Sequence, residues 1–530
     1  MLCGSQGAIR SNQAIVEETN RISAYLEPPP EPACRTTDCV NHGQGIFSAP
    51  RLYDRHGTTA AGSPRWRCKG CGKTVTQSKV GRAHRRSNEN LTVFRALVMG
   101  KSPIRGIARV ADLSPKAVYD KIEFIWRQCV AFAADRERDL PRKDLARLWL
   151  STDRQDYVLN WSNRADKRNT TLSAVGTADN LTGYVFGQHL NYDPAPVAAE
   201  IQALAEAAGD PQVSPPFRQF ARLWTAQDYT EALESDPGPR VPRLLGRGVA
   251  QRIAEREEEV AAVPDSEALD RPSFARALPK SGMQVHIEYT AAAHYRLLHR
   301  LLSHAGKVRF FIDQDDTLWA GCIAAWSEEI RAGLADVFYV QIDKSLTVDD
   351  RKRLVKSGEA AYLAFLKARG VDWDKRRVAS SLIVEQLRAM DPALPWRKRW
   401  VHHPIHTMYE PDKAVCYASD RHDLTPEHLA AIMVRASLHG IDRFFQQLRR
   451  MLSLLERPIG SASNMGRRWH GYSAYNPLMV QRLIDIYRVY YNFVKLSESA
   501  KKDGPPIRET PASKLGLARA PVRMEDILYF

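Results

Sequence analysis

Four cysteines packed into fewer than forty residues constrain this chain more than any other feature. They stand as Cys34-x4-Cys39 and Cys68-x2-Cys71. Two cysteines on a tight turn aim both thiolates at one ion, and two such turns complete a tetrahedral site. The second turn reads Cys68-Lys69-Gly70-Cys71-Gly72-Lys73. Its glycines permit the positive backbone angles of a tight turn, and the neighbouring cations favour thiolate over thiol. A stretch this short lacks a core of its own, so the spacing predicts a zinc ribbon over 31–80 that folds around structural Zn2+ held by Cys34, Cys39, Cys68 and Cys71. Four thiolates leave no open coordination position for chemistry. On spacing alone His42 is either a surface histidine or a substitute ligand. The other cysteines, Cys3, Cys129, Cys322 and Cys416, are scattered. With no apolar leader near the N-terminus, the reading is reduced thiols in a cytoplasm and not a disulfide framework.

Charge points to the partner. The 530 residues carry 76 Lys+Arg against 61 Asp+Glu, a net charge of +15. Between residues 51 and 127 there are 17 basic and 5 acidic side chains, so one short stretch carries most of the excess. A local excess of this size favours a phosphate-binding surface over an ordinary solvated face. No apolar run reaches the ~18 residues of a membrane span. The length suggests about three or four domains, and 44% hydrophobic with 26% charged residues fits globular domains.

Behind the cysteines, the patterning predicts three helices over 88–130. Leu91, Phe94, Leu97 and Val98 share one face of the first. Ile104, Ile107 and Ala108 line the second. Ser114 is a favoured N-cap, Pro115 sits at the favoured first position, and the third helix runs to about residue 126 with Val118, Ile122 and Ile125 inward. This is a trihelical helix-turn-helix whose last helix suits a major groove, with Lys116, Tyr119, Asp120 and Lys121 at the groove or backbone. An ordinary helical hairpin is the alternative.

Residues 148–161 read as a long strand with Asp153 in its middle, 170–178 as a second strand, and 184–190 as a third after a turn. Three antiparallel strands with an acid on the first open an RNase H-like fold. A helix at 290–303 and a strand at 307–312 ending on Asp313 follow. Asp315 or Asp316 caps the next helix, and a strand at 336–342 completes a five-stranded mixed sheet. Two segments interrupt this core, at about 191–284, with a helical stretch at 248–263, and at about 344–429. The second contains Trp396-Arg397-Lys398-Arg399-Trp400 and His402, His403 and His406. These histidines read as polar contacts more readily than as metal ligands.

The third acid is expected on a helix over 439–455. Phe445, Leu448, Leu452 and Leu455 form its inward stripe, and Asp442 lies three residues before Phe445 on that stripe. An acid on a buried stripe is costly unless paired or bound to metal. Arg449 or Arg450 is its alternative partner, and Glu456 is the rival third acid. Three carboxylates converging from distant segments suit two divalent cations and in-line phosphoryl transfer. Hard oxygen ligands select Mg2+ or Mn2+.

With these motifs in place the chain resembles bacterial insertion-sequence transposases of the DDE/DDD type over nearly its whole length. RWRCKGCGKTVTQS and SPIRGIARVADLSPKAVYDKI look like their DNA-binding front end. Asp153 and Asp313 match the first two acids, and GIDRFFQQLRR resembles the helix of the third, with Asp442 in place of Glu. Tyr490-Tyr491-Asn492-Phe493, Thr510-Pro511-Ala512 and Leu515-Gly516-Leu517 resemble the usual C-terminus. The two insertions and the third-position Asp depart from the pattern. The resemblance implies a multidomain α+β chain with a tail at 1–30, zinc ribbon, helix-turn-helix, catalytic domain at 145–500 and a tail at 501–530. It implies cleavage of double-stranded DNA at element ends and strand transfer, a homo-oligomer, a nucleoid-associated cytoplasmic location, and no membrane. Arg449, Arg450, Arg467 and Arg468 are the expected phosphate contacts. A non-enzymatic regulator derived from such a protein and an RNase H-like nuclease without strand transfer are the alternatives.

Overall fold

In a computed structural model the described residues are 9–28, 31–60, 62–76, 89–159, 170–234, 281–343, 345–456, 459–460, 468–469, 474, 476–499 and 507–530. The stretch at 248–263 and Arg467 lie outside them. The chain divides into two compact units, Ala24–Asp135 with Val522–Phe530, and Met1–Ser23 with Arg136–Pro521.

Helix α1 (Asn12–Ser23) opens the described chain and belongs to the larger unit. The 1–30 segment, expected as a tail, is therefore partly built into the fold. Ala14 and Ile15 join a core cluster with Leu223, Met283 and Tyr289. Glu18 is fully buried and accepts from Arg21 at 2.6 Å and from Thr290 at 3.0 Å.

The smaller unit carries a three-stranded antiparallel sheet, β1 (Tyr53–Thr58), β2 (Pro64–Cys68) and β3 (Thr74–Thr76). Three helices follow, α2 (Glu89–Met99), α3 (Ile104–Ala111) and α4 (Pro115–Glu137). Phe94, Leu97, Val98, Ile107, Ala108, Val118, Ile122 and Ile125 are buried as the apolar pattern predicts, whereas Leu91 and Ile104 are half-buried and Val93 takes a core position instead. Asp112 ends α3 in the left-handed region, and Ser114 Oγ accepts from Ala117 N at 3.2 Å. Helix α4 runs well past residue 126. Phe132, Ala133 and Ala134 are buried and keep it wound, and no proline interrupts the chain before Pro141. The end of the expected C-terminal tail is ordered against this helix. Gln128 Nε2 donates to the Leu528 carbonyl at 2.8 Å, and the Phe132 and Phe530 rings meet edge-on at 5.5 Å.

The larger unit is built on a mixed sheet of seven strands where five were expected. In chain order these are β4 (Leu148–Leu159), β5 (Thr170–Asp179) and β6 (Val185–Leu190), then β9 (Val308–Asp313), β10 (Ala335–Ile342), β11 (Trp400–His402) and β12 (Lys413–Tyr417). A two-residue ladder of β7 (Tyr192–Asp193) and β8 (Met283–Gln284) stands apart. The sheet order is β11-β12-β10-β9-β4-β5-β6. Strands β4, β9 and β10 are parallel and the rest join antiparallel. The two added strands come from the 344–429 segment, which is therefore part of the core sheet. Strand β12 is five residues long and buried throughout, so it lacks the alternation that marks a half-exposed strand.

Helices α5 (Ala198–Ala208) and α6 (Ala226–Glu234) lie in the first inserted segment. Helix α7 (Ile287–Leu302) packs on one face of the sheet, where Tyr295 meets Phe310 at 5.7 Å. Helices α8 (Asp316–Ala325) and α9 (Ser327–Arg331) follow β9. Asp315 caps α8 by accepting from Thr317 N at 2.8 Å, which settles the cap between the two expected aspartates. From the second segment come α10 (Val348–Arg369), α11 (Lys375–Ala389) and α12 (Pro426–Met433). Helix α13 (His439–Met451) ends before Leu452, and Leu455 lies in a separate short turn. Helix α14 (Pro477–Val489) runs into a π-helical turn, Tyr490–Val494. There Asn492 is buried, its amide bracketing Val185 of β6 at 3.0 Å and 2.8 Å. The YYNF motif thus closes a sheet edge and satisfies backbone groups that water does not reach.

Candidate acidic cleft and cysteine centre

The cysteine site is formed by loops and strand ends. The four Sγ atoms lie within 4.8 Å of one another, with Cys34 and Cys71 3.5 Å apart and Cys39 and Cys68 3.7 Å apart. Gly72 has φ +70°, the positive angle its turn requires. Burial pushes the Cys68 thiol up, but Asn41 Nδ2 at 3.4 Å and the backbone N–H groups of Cys71 and Gly70 bring it down to about 6. Four soft thiols around one point fit a structural metal such as zinc. His42 contributes backbone to the site, its N–H donating to the Cys39 carbonyl at 2.8 Å, and stands outside this ligand group. Among the described residues the cysteines are the one group of three or more such ligands at this spacing.

In the larger unit the three acids line one cleft without forming a cluster as close as the cysteines. Parallel pairing sets Thr152 opposite Ile312, so one step further brings Asp153 beside Asp313 on strands about 4.8 Å apart. Side-chain alternation places Ser151 and Asp153 on one face and Thr152 on the other. Helix α13 covers the first face. Its Ile441 N–H donates to Ser151 Oγ at 3.1 Å, and its Gly440 N–H donates to Asn180 Oδ1 at 3.0 Å. Asp442 follows in the first turn. Close approach depends on Gly176, which pairs with Asp153 across β4 and β5. A Cβ there would sit 2.9 Å from the Phe445 ring and 3.0 Å from Ile441 Cδ1.

Asp153, Asp313 and Asp442 line one cleft of about 1490 Å³. Glu456 lines it too, so both sequence candidates for the third acid face the same space. The cleft walls include Arg154, Arg351, Arg443 and Arg449. Arg450 is exposed and is not among the residues lining it. Arg468 falls on a two-residue strand. The two strands are clamped just past the acids. Arg154, next to Asp153, reaches Asp315, two residues after Asp313, in a buried ion pair of 3.2 Å. Asp153 Oδ1 also accepts from Arg154 N at 2.7 Å.

Behind β4 lies a chain of neutral polar groups. Thr152 Oγ1 is 2.7 Å from Thr177 Oγ1, which is 2.7 Å from His294 Nε2, and His294 Nδ1 is 2.8 Å from His189 Nδ1. Burial holds both imidazoles neutral, lowering His189 and bringing His294 to about 3.

His402 ends β11, and His403 and His406 in the loop that follows make local contacts. His403 Nδ1 lies 2.8 Å from the Ile405 carbonyl, His406 Nδ1 bonds the Pro411 carbonyl, and His402 is exposed. In the smaller unit Lys116, Tyr119 and Asp120 are exposed on α4. Lys121 makes contacts inside the module. Its amine is tied to Asn90 at 2.9 Å and Glu89 at 3.1 Å within the helical module. Arg351, Tyr409, Glu410 and His439 line the acidic cleft and carried no site signal in the sequence. The first three belong to the segment read as an insertion. Among the described residues no helix is long and apolar enough to cross a membrane. Comparisons with protein-family models, with curated proteins and with solved structures find no match.

Proposed function

We propose that the protein is a DNA transposase of the DDE/DDD type, with an RNase H-like catalytic core and a zinc-ribbon and helix-turn-helix front end that binds element ends. The observation that carries this reading is the shared cleft of Asp153, Asp313 and Asp442, drawn from two adjacent strands and a covering helix. Their carboxylate oxygens are the hard donors that suit Mg2+ or Mn2+. Such cations, when bound, activate the attacking oxygen and stabilise the leaving oxygen of an in-line phosphoryl transfer. Asp153 and Asp313 would hold them from the sheet, and Asp442 or Glu456 from the opposite wall. Arg449 and Arg351 would hold the phosphates of the cut strand, and the Arg154–Asp315 pair would keep the two acid-bearing strands aligned.

The front end supports the partner. The exposed Lys116 and Tyr119 on α4 suit phosphate contacts in a module with a strong basic excess. The zinc would serve there as structure alone. The full reading is a cytoplasmic, nucleoid-associated homo-oligomer acting on double-stranded DNA. Asp153→Asn or Asp313→Asn is expected to reduce strand cleavage by about 10³-fold or more while end binding is retained, because a metal ligand loses its charge and keeps its shape. Single-turnover cleavage and gel-shift assays on the same DNA measure the two. Full cleavage by Asp153→Asn ends the reading, and DNA binding with no cleavage by the unaltered protein favours a regulator. Comparing Asp442→Asn with Glu456→Gln assigns the third acid.

A further inference from the structure

Tyr409 is 78% exposed, yet it stands on a loop that is braced from several sides. Arg351 Nη1 donates to the Met408 carbonyl at 3.4 Å. Glu410 N donates to Thr407 Oγ1 at 3.0 Å. The Glu410 carboxylate is fixed by Lys413 Nζ at 2.8 Å, Ser437 Oγ at 2.6 Å and Leu438 N at 3.2 Å. Burial works against ionising Glu410, but Lys413, Ser437 and Leu438 hold its carboxyl below the ordinary range. On the other side Gly358 of α10 packs on His406, where a Cβ would sit 3.1 Å from the imidazole. These contacts fix the backbone on either side of Tyr409. The ring is held at the cleft that Asp153, Asp313 and Asp442 share, 5.7 Å from the His439 ring. Arg351 and Arg443 line the same cleft.

A flat aromatic face flanked by cations matches one class of ligand group, a nucleobase whose phosphates lie beside it. Bases inside a duplex are already stacked on both faces, so a ring fixed at the wall meets a base after that base has left the stack. We propose that Tyr409, with His439 beside it, is a stacking platform for an unpaired base next to the phosphate held at the acids. The inference rests on the reading of the cleft as a DNA-cleaving site, and it adds a preference for locally unpaired DNA that the acids alone do not supply. Tyr409 is a positioning residue in this scheme.

The test uses the full-length, zinc-loaded protein and two synthetic duplexes of one sequence, one fully paired and one with two unpaired nucleotides at the cut position and a 2-aminopurine beside them. The unaltered protein is expected to bind the unpaired duplex about tenfold more tightly and to quench its 2-aminopurine, the scale of one base–aromatic stack. Tyr409→Ala should lose the preference and the quenching, and Tyr409→Trp should restore both. The salt dependence of binding should stay the same, because no charge changes. A Tyr409→Ala protein that keeps the preference, or one that changes oligomeric state instead, overturns the platform. Cleavage with no Tyr409-dependent preference leaves the transposase reading intact and removes the platform. A Tyr409-dependent preference with no cleavage under any divalent cation removes the transposase reading and leaves the platform.

Discussion

The cysteine centre and the acidic cleft each bring separate side chains to one place, in opposite ways. The cysteines come from two local turns within 38 residues, and nearby backbone places them. The acids come from residues 153, 313 and 442, and the register of two parallel strands and the docking of one helix bring them to one cleft. A local site of four thiols would borrow its stability from a bound metal, whereas an assembled site borrows it from a core. The two should therefore fail differently.

Removing metal should produce the largest effect. Chelation of the whole protein is expected to unfold residues 31–76 and leave the seven-stranded sheet intact, since structural zinc contributes on the order of 10 kcal/mol of folding free energy in small sites. Zinc release measured alongside limited proteolysis checks this, and a ribbon that keeps its protease protection without metal would break the contrast. Gly176→Val should show the converse. The added methyl groups would collide with Phe445 and Ile441, costing about 2–3 kcal/mol by overpacking and lifting α13 from the sheet. Urea unfolding of the larger unit should fall while zinc content is unchanged. The smallest effect concerns pH. The unfolded chain protonates His294 near its ordinary value of about 6.5, but the folded chain resists until about 3. The folded pKa is depressed, so its stabilising contribution is complete above about 6.5 and declines as pH falls toward 3. His294→Gln should flatten that decline, measured as denaturant midpoints across the window. An unchanged slope would assign acid sensitivity elsewhere, with His189 as the next test.

Particular residues show how far the sequence reaches. Ser114 and Pro115 announce the start of α4, but nothing at Trp126 ends it, because the following Ala- and Phe-rich turns wind as readily as those before. Asp442 was legible because a carboxylate interrupts an apolar stripe. Tyr409 and Arg351 were not, because a loop tyrosine and a helix arginine look alike on any surface. The contacts of Lys121 to Asn90 and Glu89, two helices earlier, were equally invisible in the sequence.

By itself the sequence determined the grouping of the four cysteines, the start of α4 and the strands of the first hairpin. Each of these depends on side chains a few residues apart, whose relation is fixed by the 3.6- and 2-residue periods of the backbone. The tertiary structure decided that two strands of the 344–429 segment extend the sheet, that Gly176 lets α13 approach Asp153, and that Glu410 pins an exposed tyrosine at the cleft. Those facts belong to pairs of residues tens to hundreds of positions apart, and no local period encodes them. Strand register and close packing against one particular neighbour supply that information, and both exist only once the chain has folded.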